Sequence, residues 1–273
     1  MIEPFTDRLA SVVAADGPLC IGIDPHAALL TVWGLPDSAA GTRDFGMRVV
    51  DAVAGRAGIV KTQVAFFERF GAAGYSALED VLAAAGAVGL LTIADAKRGD
   101  IGTSADAYGE AWLTPGSPLE ADAMTAVAYQ GLGSLDGVIS RAEAAGKGVF
   151  VLAATSNPEA AATQRAVRSD GLSVAAGVVS DIRARDSAAI GVVLGATISL
   201  GDSGLDPEAL GELPVLAPGF GTQGAAIADL PALFGKAAPR VLVAVSRSVL
   251  ETGPDGLGSA IDRANEEVAA WRS

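Results

Sequence analysis

Short apolar runs rich in Val, Ile and Leu alternate with longer stretches of helical periodicity along the chain. They predict an α/β fold, a (β/α)8 TIM barrel in a single domain spanning 1–273. Three observations carry that expectation. Eight such runs can be marked, with helical crossovers between them and a helix after the last. The runs are continuously apolar rather than alternating, as strands of a parallel sheet covered by helices are. Charged residues and glycines gather where the runs end, which is where a barrel builds its active site. A doubly wound open sheet is the competing arrangement, because the same alternation allows it.

The first strand reads as Leu19 to Asp24, stopped by Asp24-Pro25, and Thr42 to Ala54 follows as an amphipathic helix. Gly58 to Phe67 is the second strand, with Lys61 near its start, and Gly71 to Ala85 the next helix. Leu90 to Lys97 is the third strand, and a helical pattern takes over near 104–113. Ala123 to Tyr129 and Gly148 to Ala154 read as the fourth and fifth strands, with a helix from Ser134 to Ala145 between them. The Ala-rich segment 158–189 makes the next crossover. Gly191 to Thr197, Val215 to Gly219 and Val241 to Ser246 complete the strands, and Leu257 to Trp271 closes the chain as a helix.

Composition narrows the function. Half the residues are hydrophobic and 19% are charged, enough for a large core and too apolar for disorder. The net charge of −13 disfavours nucleic acid and anionic membranes as partners. An anionic small substrate would therefore need a basic site of its own. Cys20 is the single cysteine, so no intrachain disulfide can form, and a reducing, cytoplasmic setting fits. The N-terminal segment has no basic region followed by an apolar one, so no signal peptide is expected, and no run is long enough to span a bilayer. Of the 19 basic residues only four are Lys, at 61, 97, 147 and 236, and two of these sit at or inside strand-like runs. Arg cannot release a proton at working pH whereas Lys can, so Lys61 and Lys97 point to a needed point charge or transferable proton.

The most informative stretch is Leu91-Thr-Ile-Ala-Asp95-Ala-Lys97-Arg-Gly-Asp100-Ile101-Gly-Thr-Ser104. Asp95 and Lys97 stand two residues apart on a strand, so both side chains leave one face. Charges of alternating sign at the end of a buried strand are costly to hold unless they serve chemistry, although a structural ion-pair cluster is the plainer alternative. A Lys between two carboxylates stays charged and makes a poor Schiff-base nucleophile. A second stretch, Pro218-Gly-Phe-Gly221-Thr-Gln223-Gly224, follows an apolar run and precedes an Ala-rich helical pattern. Such glycines let backbone N–H groups approach a phosphate, and Arg247 one strand over can add a bidentate contact. A tight turn beside a surface Arg is the other possibility. His26 is the single histidine, which leaves no Ser-His-Asp triad or His-rich metal site unless it supplies one. Cys20 reads as a small apolar residue. No dinucleotide fingerprint with its acidic partner occurs, so a nicotinamide cofactor is not expected.

With these residues on one face, the chain resembles the orotidine 5′-phosphate decarboxylase family, in particular its longer bacterial branch. Asp95-Ala-Lys97-Arg-Gly-Asp100-Ile101 matches the family's Asp-x-Lys-x-x-Asp-Ile signature. The Lys61 segment, Thr155-Ser156-Asn157-Pro158 and the loop from Pro218 through Gly221 to Gly224 fall at their expected places. The resemblance implies decarboxylation of orotidine 5′-phosphate to UMP and CO2 with no cofactor and no metal, the last step of de novo pyrimidine synthesis. It implies that Lys97 protonates C6, that Asp95 sits beside the substrate carboxylate and holds Lys97, and that Lys61 orients Asp95 and contacts the ribose. Asp24 would bind a ribose hydroxyl, Ser156 the pyrimidine edge, and Gln223 and Arg247 the phosphate. Asp100 would enter from the other subunit of a homodimer, with Ile101 and Ser104 lining the shared site. Ser104 departs from the Thr of many members. No residue of 158–189 is assigned a role. Two alternatives stand beside this reading: a Mg²⁺-dependent sugar-phosphate decarboxylase or aldolase of the same superfamily, and a non-catalytic nucleotide-binding barrel.

Overall fold

The computed structural model describes residues 2–272. Met1 and Ser273, the two ends of the 1–273 span read as one domain, lie outside the described residues. Among the described residues eight parallel strands close into a barrel in chain order: β1 (Leu19–Ile23), β2 (Ile59–Gln63), β3 (Leu91–Arg98), β4 (Ala123–Ala126), β5 (Gly148–Ala154), β6 (Ile190–Leu194), β7 (Val215–Pro218) and β8 (Val241–Val245). β8 pairs back onto β1, with Cys20 opposite Ala244, so the sheet is closed and the open doubly wound alternative is excluded. Helices Ala39–Val53, Gly71–Ala87, Gly102–Leu113, Asp136–Ala145, Val174–Arg185 and Gly253–Arg272 pack outside. Their apolar faces and the outward parity of the strands make the larger core, including Phe45, Val81, Trp112 and Ile261.

The inward parity makes a second core. Cys20, Ile59, Leu91, Ile93, Ala123, Phe150, Val193, Leu216, Leu242 and Ala244 pack together inside the barrel, and Phe5 and Leu9 join them from below. Those two belong to a helix, Phe5–Asp16, which the strand-first reading leaves unassigned. Phe5 meets Phe150 edge to face at 5.9 Å. The space for both rings comes from two glycines, since a Cβ at Gly148 would lie 2.4 Å from Phe5 and one at Gly191 2.5 Å from Phe150. Arg8 pins the same helix by donating to Asp122 at 2.5 Å and to the Gly146 carbonyl at 2.9 Å. The barrel interior is thus filled at its N-terminal end, where an outer groove of about 820 Å³ runs beside Leu9, Val13, Leu210 and Leu242, and a separate cavity opens at the other end.

Several boundaries differ from the sequence reading. The second strand stops at Gln63, and Ala65–Glu68 forms a helical turn that buries Phe67. A short apolar run does not distinguish strand from helix by periodicity alone. The fourth strand ends at Ala126 rather than Tyr129. The β6–β7 crossover carries two 3-10 turns, Gly201–Ser203 and Pro207–Leu210, where a helix was expected. Gly201, Gly204, Pro207 and Gly211 lie too close together there for a helix to propagate. The 158–189 segment divides into a 3-10 turn, a short helix Ala161–Gln164 and the helix Val174–Arg185, capped by Ser173. Among the described residues no helix is long and apolar enough to cross a membrane.

The plug predicts a clean separation of stability from catalysis. Phe5→Ala should lower the unfolding free energy by about 3–5 kcal/mol, measured by urea denaturation. The KM for substrate should stay at the wild-type value, because Phe5 is remote from the open end of the barrel.

Candidate active site

The carboxyl ends of the strands surround a cavity of about 340 Å³. Its floor is apolar, formed by Leu152, Val193, Leu216 and Ala244, and its wall carries Asp24, Lys61, Asp95, Lys97, Gln223 and Arg247. Each comes from a place the barrel dictates. Lys61 lies on β2 with the same parity as buried Ile59, and Asp95 on β3 with that of Ile93. Asp24 follows β1, Ser156 follows β5, and Arg247 opens the helix Arg247–Leu250 just past β8. Three cations against two carboxylates make this mouth net positive within an acidic chain of charge −13.

Asp95 organises the charges. Lys61 Nζ donates to its Oδ2 at 3.0 Å and Lys97 Nζ to its Oδ1 at 2.5 Å. Thr125 Oγ1 donates to that Oδ1 at 2.9 Å, and Lys61 also reaches Gln63 Oε1 at 3.4 Å. Burial acts to raise the Asp95 pKa, but Lys61 and Lys97 outweigh it and hold the carboxyl well below the ordinary range. Burial likewise acts to lower the Lys61 pKa, and Asp95 with Asp24 overcomes it, so Lys61 remains a cation. The Lys97 side chain is 44% exposed against 10% for Asp95, so one end of the pair is fixed and the other faces the cavity.

Lys97 is held in an unusual conformation. Its φ is +46°, one of two positive values among the described non-glycine residues, at a cost of about 1–3 kcal/mol. The cause is a bulge. Between the pairs Ala94–Met124 and Arg98–Ala126, β3 advances four residues while β4 advances two. Asp95, Ala96 and Lys97 therefore face Thr125 alone. Asp95 and Lys97 do share the cavity as their spacing predicts, but Lys97 is turned there by the bulge rather than by regular pleating.

Of the twelve site residues named from the sequence, eight line the cavity: Asp24, Lys61, Asp95, Lys97, Ser156, Pro218, Gln223 and Arg247. Asp100, Ile101, Ser104 and Gly221 do not. Asp100 Oδ1 accepts from the adjacent Ile101 N–H at 2.8 Å, and Ile101 is 61% exposed. Gly221 packs under Ser248, where a Cβ would lie 2.5 Å away, and its N–H donates to the Ala225 carbonyl at 2.8 Å. The glycine loop thus spends part of its N–H groups on its own turn. It is followed by a 3-10 turn, Ile227–Asp229, that runs into a short helix, Leu230–Phe234. His26 caps the helix Ala27–Val32 by accepting from Leu29 N–H at 3.4 Å. Burial pushes the Cys20 thiol up to about 12, with Lys61 opposing, which leaves it a packing residue.

Sequence reasoning passed over two polar residues. Thr125 is a lone hydroxyl in the apolar run Ala-Met-Thr-Ala, on the inward parity, and that position was the available signal. Gln164, within the segment left without a role, clamps the base of the Ser156 loop. Its Oε1 accepts from Thr155 N–H at 2.9 Å and its Nε2 donates to Thr155 Oγ1 at 2.9 Å. Nothing in the sequence around Gln164 marks it.

A closed eight-stranded barrel with a cationic, carboxylate-anchored mouth defines an enzyme-type site for a small anionic ligand. A family model described as orotidine 5′-phosphate decarboxylase / HUMPS matches residues 17–257, and the chain belongs to that family. An orotidine 5′-phosphate decarboxylase of Salinispora arenicola is 48% identical over 269 residues, covering 96% of each chain. A crystal structure from Streptomyces avermitilis superposes with a TM-score of 0.93 at 47% identity, covering 98% of this chain and 95% of that one. The OMP decarboxylase of Leishmania donovani gives a TM-score of 0.79 at 28% identity, covering 97% and 98%.

The ion-pair geometry has a measurable consequence. Asp95→Asn leaves the buried Lys61 without its counter-charge and should cost about 3–5 kcal/mol at neutral pH, read by urea denaturation. The native carboxyl has a lowered pKa, so its stabilisation is complete above the unfolded value of about 3.9 and is lost as the pH falls through the folded one. The gap between wild type and variant should therefore shrink below about pH 4.

Proposed function

We propose that this protein decarboxylates orotidine 5′-phosphate to UMP and CO2, in pyrimidine synthesis, with neither metal nor organic cofactor. One observation carries the reading: an ammonium at the cavity mouth, Lys97, is fixed to a buried carboxylate that a second ammonium already neutralises. When the bond from C6 to the carboxylate carbon breaks, its electron pair stays on C6 in the ring plane, where the π system cannot take it. A preorganised cation is the stabiliser available there. Lys97 gives its proton to C6, the C6–H bond forms, and solvent returns a proton to the amine. Asp95 keeps the ammonium aimed and repels the substrate carboxylate, a repulsion that ends when neutral CO2 leaves. The apolar floor of Leu152, Val193 and Leu216 suits CO2 better than an anion.

The remaining groups fit the rest of the nucleotide. Asp24 Oδ1 is buried without a hydrogen-bond partner among the described residues, as an acceptor awaiting a ribose hydroxyl would be. Ser156 would meet the pyrimidine edge, and Pro218, Gln223 and Arg247, which line the same cavity, would receive the phosphate, with Gly221 shaping the loop from behind. Metal-free chemistry is supported by the occupancy of Asp95, both of whose oxygens are taken by ammonium groups, so a divalent ion would have to displace one. We also propose a homodimer in the cytoplasm. Ile101 and Tyr129, 61% and 83% exposed, follow adjacent strands β3 and β4 at the mouth. A second copy covering them would bring Asp100, with Ile101 and Ser104, to its neighbour's site.

The decisive assay follows the ultraviolet absorbance of orotidine 5′-phosphate with purified protein. The orotate band should decay equally with and without EDTA, and Lys97→Ala should slow the decay by roughly 10⁴-fold. Binding of UMP with no decay would make the protein a nucleotide binder, and activity confined to a sugar phosphate with Mg²⁺ would assign the other chemistry. Arg247→Ala should raise KM by roughly 100-fold through loss of a bidentate phosphate contact. A KM near wild type would remove Arg247 from the phosphate site. Mixing inactive Lys97→Ala and Asp100→Asn proteins should restore activity to roughly one quarter of the sites, because random pairing leaves one intact site per heterodimer. No recovery after confirmed subunit exchange would overturn the shared site.

A further inference from the structure

We propose that Thr125 is a positioning residue for the proton donor, setting both the backbone of Lys97 and the carboxylate that aims its ammonium. The inference rests on the decarboxylase reading and deepens it. Thr125 is the one β4 residue facing the three-residue bulge of β3. The bulge removes the regular ladder, so the Lys97 N–H loses the strand carbonyl it would otherwise meet. That N–H donates instead to Thr125 Oγ1 at 2.9 Å. The same hydroxyl donates its proton to Asp95 Oδ1 at 2.9 Å. One oxygen therefore ties down both ends of the bulge, and the Oδ1 it holds is the atom that takes Lys97 Nζ at 2.5 Å.

The chemistry restricts which side chain can do this. The position needs an acceptor for a backbone N–H and a donor to a carboxylate on one atom, which only a hydroxyl of this length supplies. Thr125 is itself 1% exposed, so water does not reach it to take its place. The left-handed conformation of Lys97, with φ +46°, persists only where its surroundings hold it. Without the hydroxyl, Lys97 can relax toward the extended region, and its Nζ then swings away from the cavity axis. A misplacement of about 1 Å at a reacting group can cost on the order of 100-fold in rate. Substrate binding, by contrast, depends on Asp24, Gln223 and Arg247, none of which touches Thr125.

The test compares Thr125→Val, which keeps the shape and removes both bonds, with Thr125→Ser, which keeps the hydroxyl. In the full-length protein, Thr125→Val should lower kcat by roughly 30- to 100-fold with KM and UMP affinity within about twofold of wild type. Thr125→Ser should recover kcat to within about threefold. Amide exchange at Lys97, read by NMR, should be slow in wild type and in Thr125→Ser and fast in Thr125→Val. A kcat for Thr125→Val near wild type, or equal losses for Val and Ser, would overturn the proposal. So would a Val variant whose whole loss lies in KM or in the folded fraction. A wild-type protein without decarboxylase activity would sink the functional reading instead. In that case the Lys97 exchange rates alone decide whether Thr125 holds the bulge.

Discussion

A carboxylate placed nine-tenths out of water at the end of a barrel strand is stable only in the company that Asp95 keeps. Two ammonium groups and a hydroxyl occupy its oxygens. At about 4 Å, a unit charge pair in surroundings of effective dielectric 20 is worth roughly 4 kcal/mol, enough to offset desolvation when both oxygens are matched. The arrangement is asymmetric in a useful way. Lys61 is buried with Asp95, whereas Lys97 reaches outward from it into the cavity. In the proposed mechanism the buried pair serves as a rigid base, and the exposed ammonium is the working end.

The barrel divides its labour along its axis. At the N-terminal end, Phe5, Leu9 and Phe150 fill the interior, and Arg8 with Asp122 fastens the plug. At the carboxyl end the same inward parity changes from apolar to polar or charged within two residues: Ile59 to Lys61, Ile93 to Asp95, Ala123 to Thr125. A strand buried on both faces cannot carry such residues in its middle without losing its core, so the chemistry is confined to strand ends. The strain at Lys97 belongs to the same logic. The lower barrel supplies packing in excess, and that surplus keeps one residue in a conformation it would not choose.

How much of this could be seen in the sequence follows from the same physics. The strands were legible because each is an apolar run with a charged or glycine terminus, and eight of the twelve site residues stand where strand ends place them. The Arg-to-Lys imbalance picked out Lys61 and Lys97, both in the cavity, although Lys147 is as buried as Lys61, as a structural partner of Glu120 and the Ala121 carbonyl. The bulge was not legible, since a two-residue excess in β3 exists only relative to its neighbour β4. Nor was Gln164, whose role depends on a fold that brings residues nine apart into a reciprocal clamp. The N-terminal plug could have been found, because Phe5, Leu9, Val12 and Val13 repeat at helical spacing, but it precedes the first strand and falls outside the strand–helix alternation.

The four predicted site residues that stand outside the cavity divide into two physical kinds. Gly221 is occupied within its own chain, folded against Ser248 and hydrogen-bonded to Ala225, so its contribution is to loop shape. Asp100, Ile101 and Ser104 are occupied by little, and Asp100 turns its carboxylate back onto the neighbouring N–H. Within one chain only Asp95 of the two carboxylates flanking Lys97 touches it. Among the described residues, the cavity of a single chain therefore holds Asp95 with its two cations and Asp24, whose Oδ1 has no hydrogen-bond partner, while Asp100 stands outside it beside exposed Ile101. In the proposed homodimer, association and catalysis would be interdependent, because the surface that loses water on pairing would be the one that carries Asp100. An ammonium held by one carboxylate from its own chain and approached by another from a partner would be fixed from two sides, and its freedom to move, rather than its charge, is what pairing would remove.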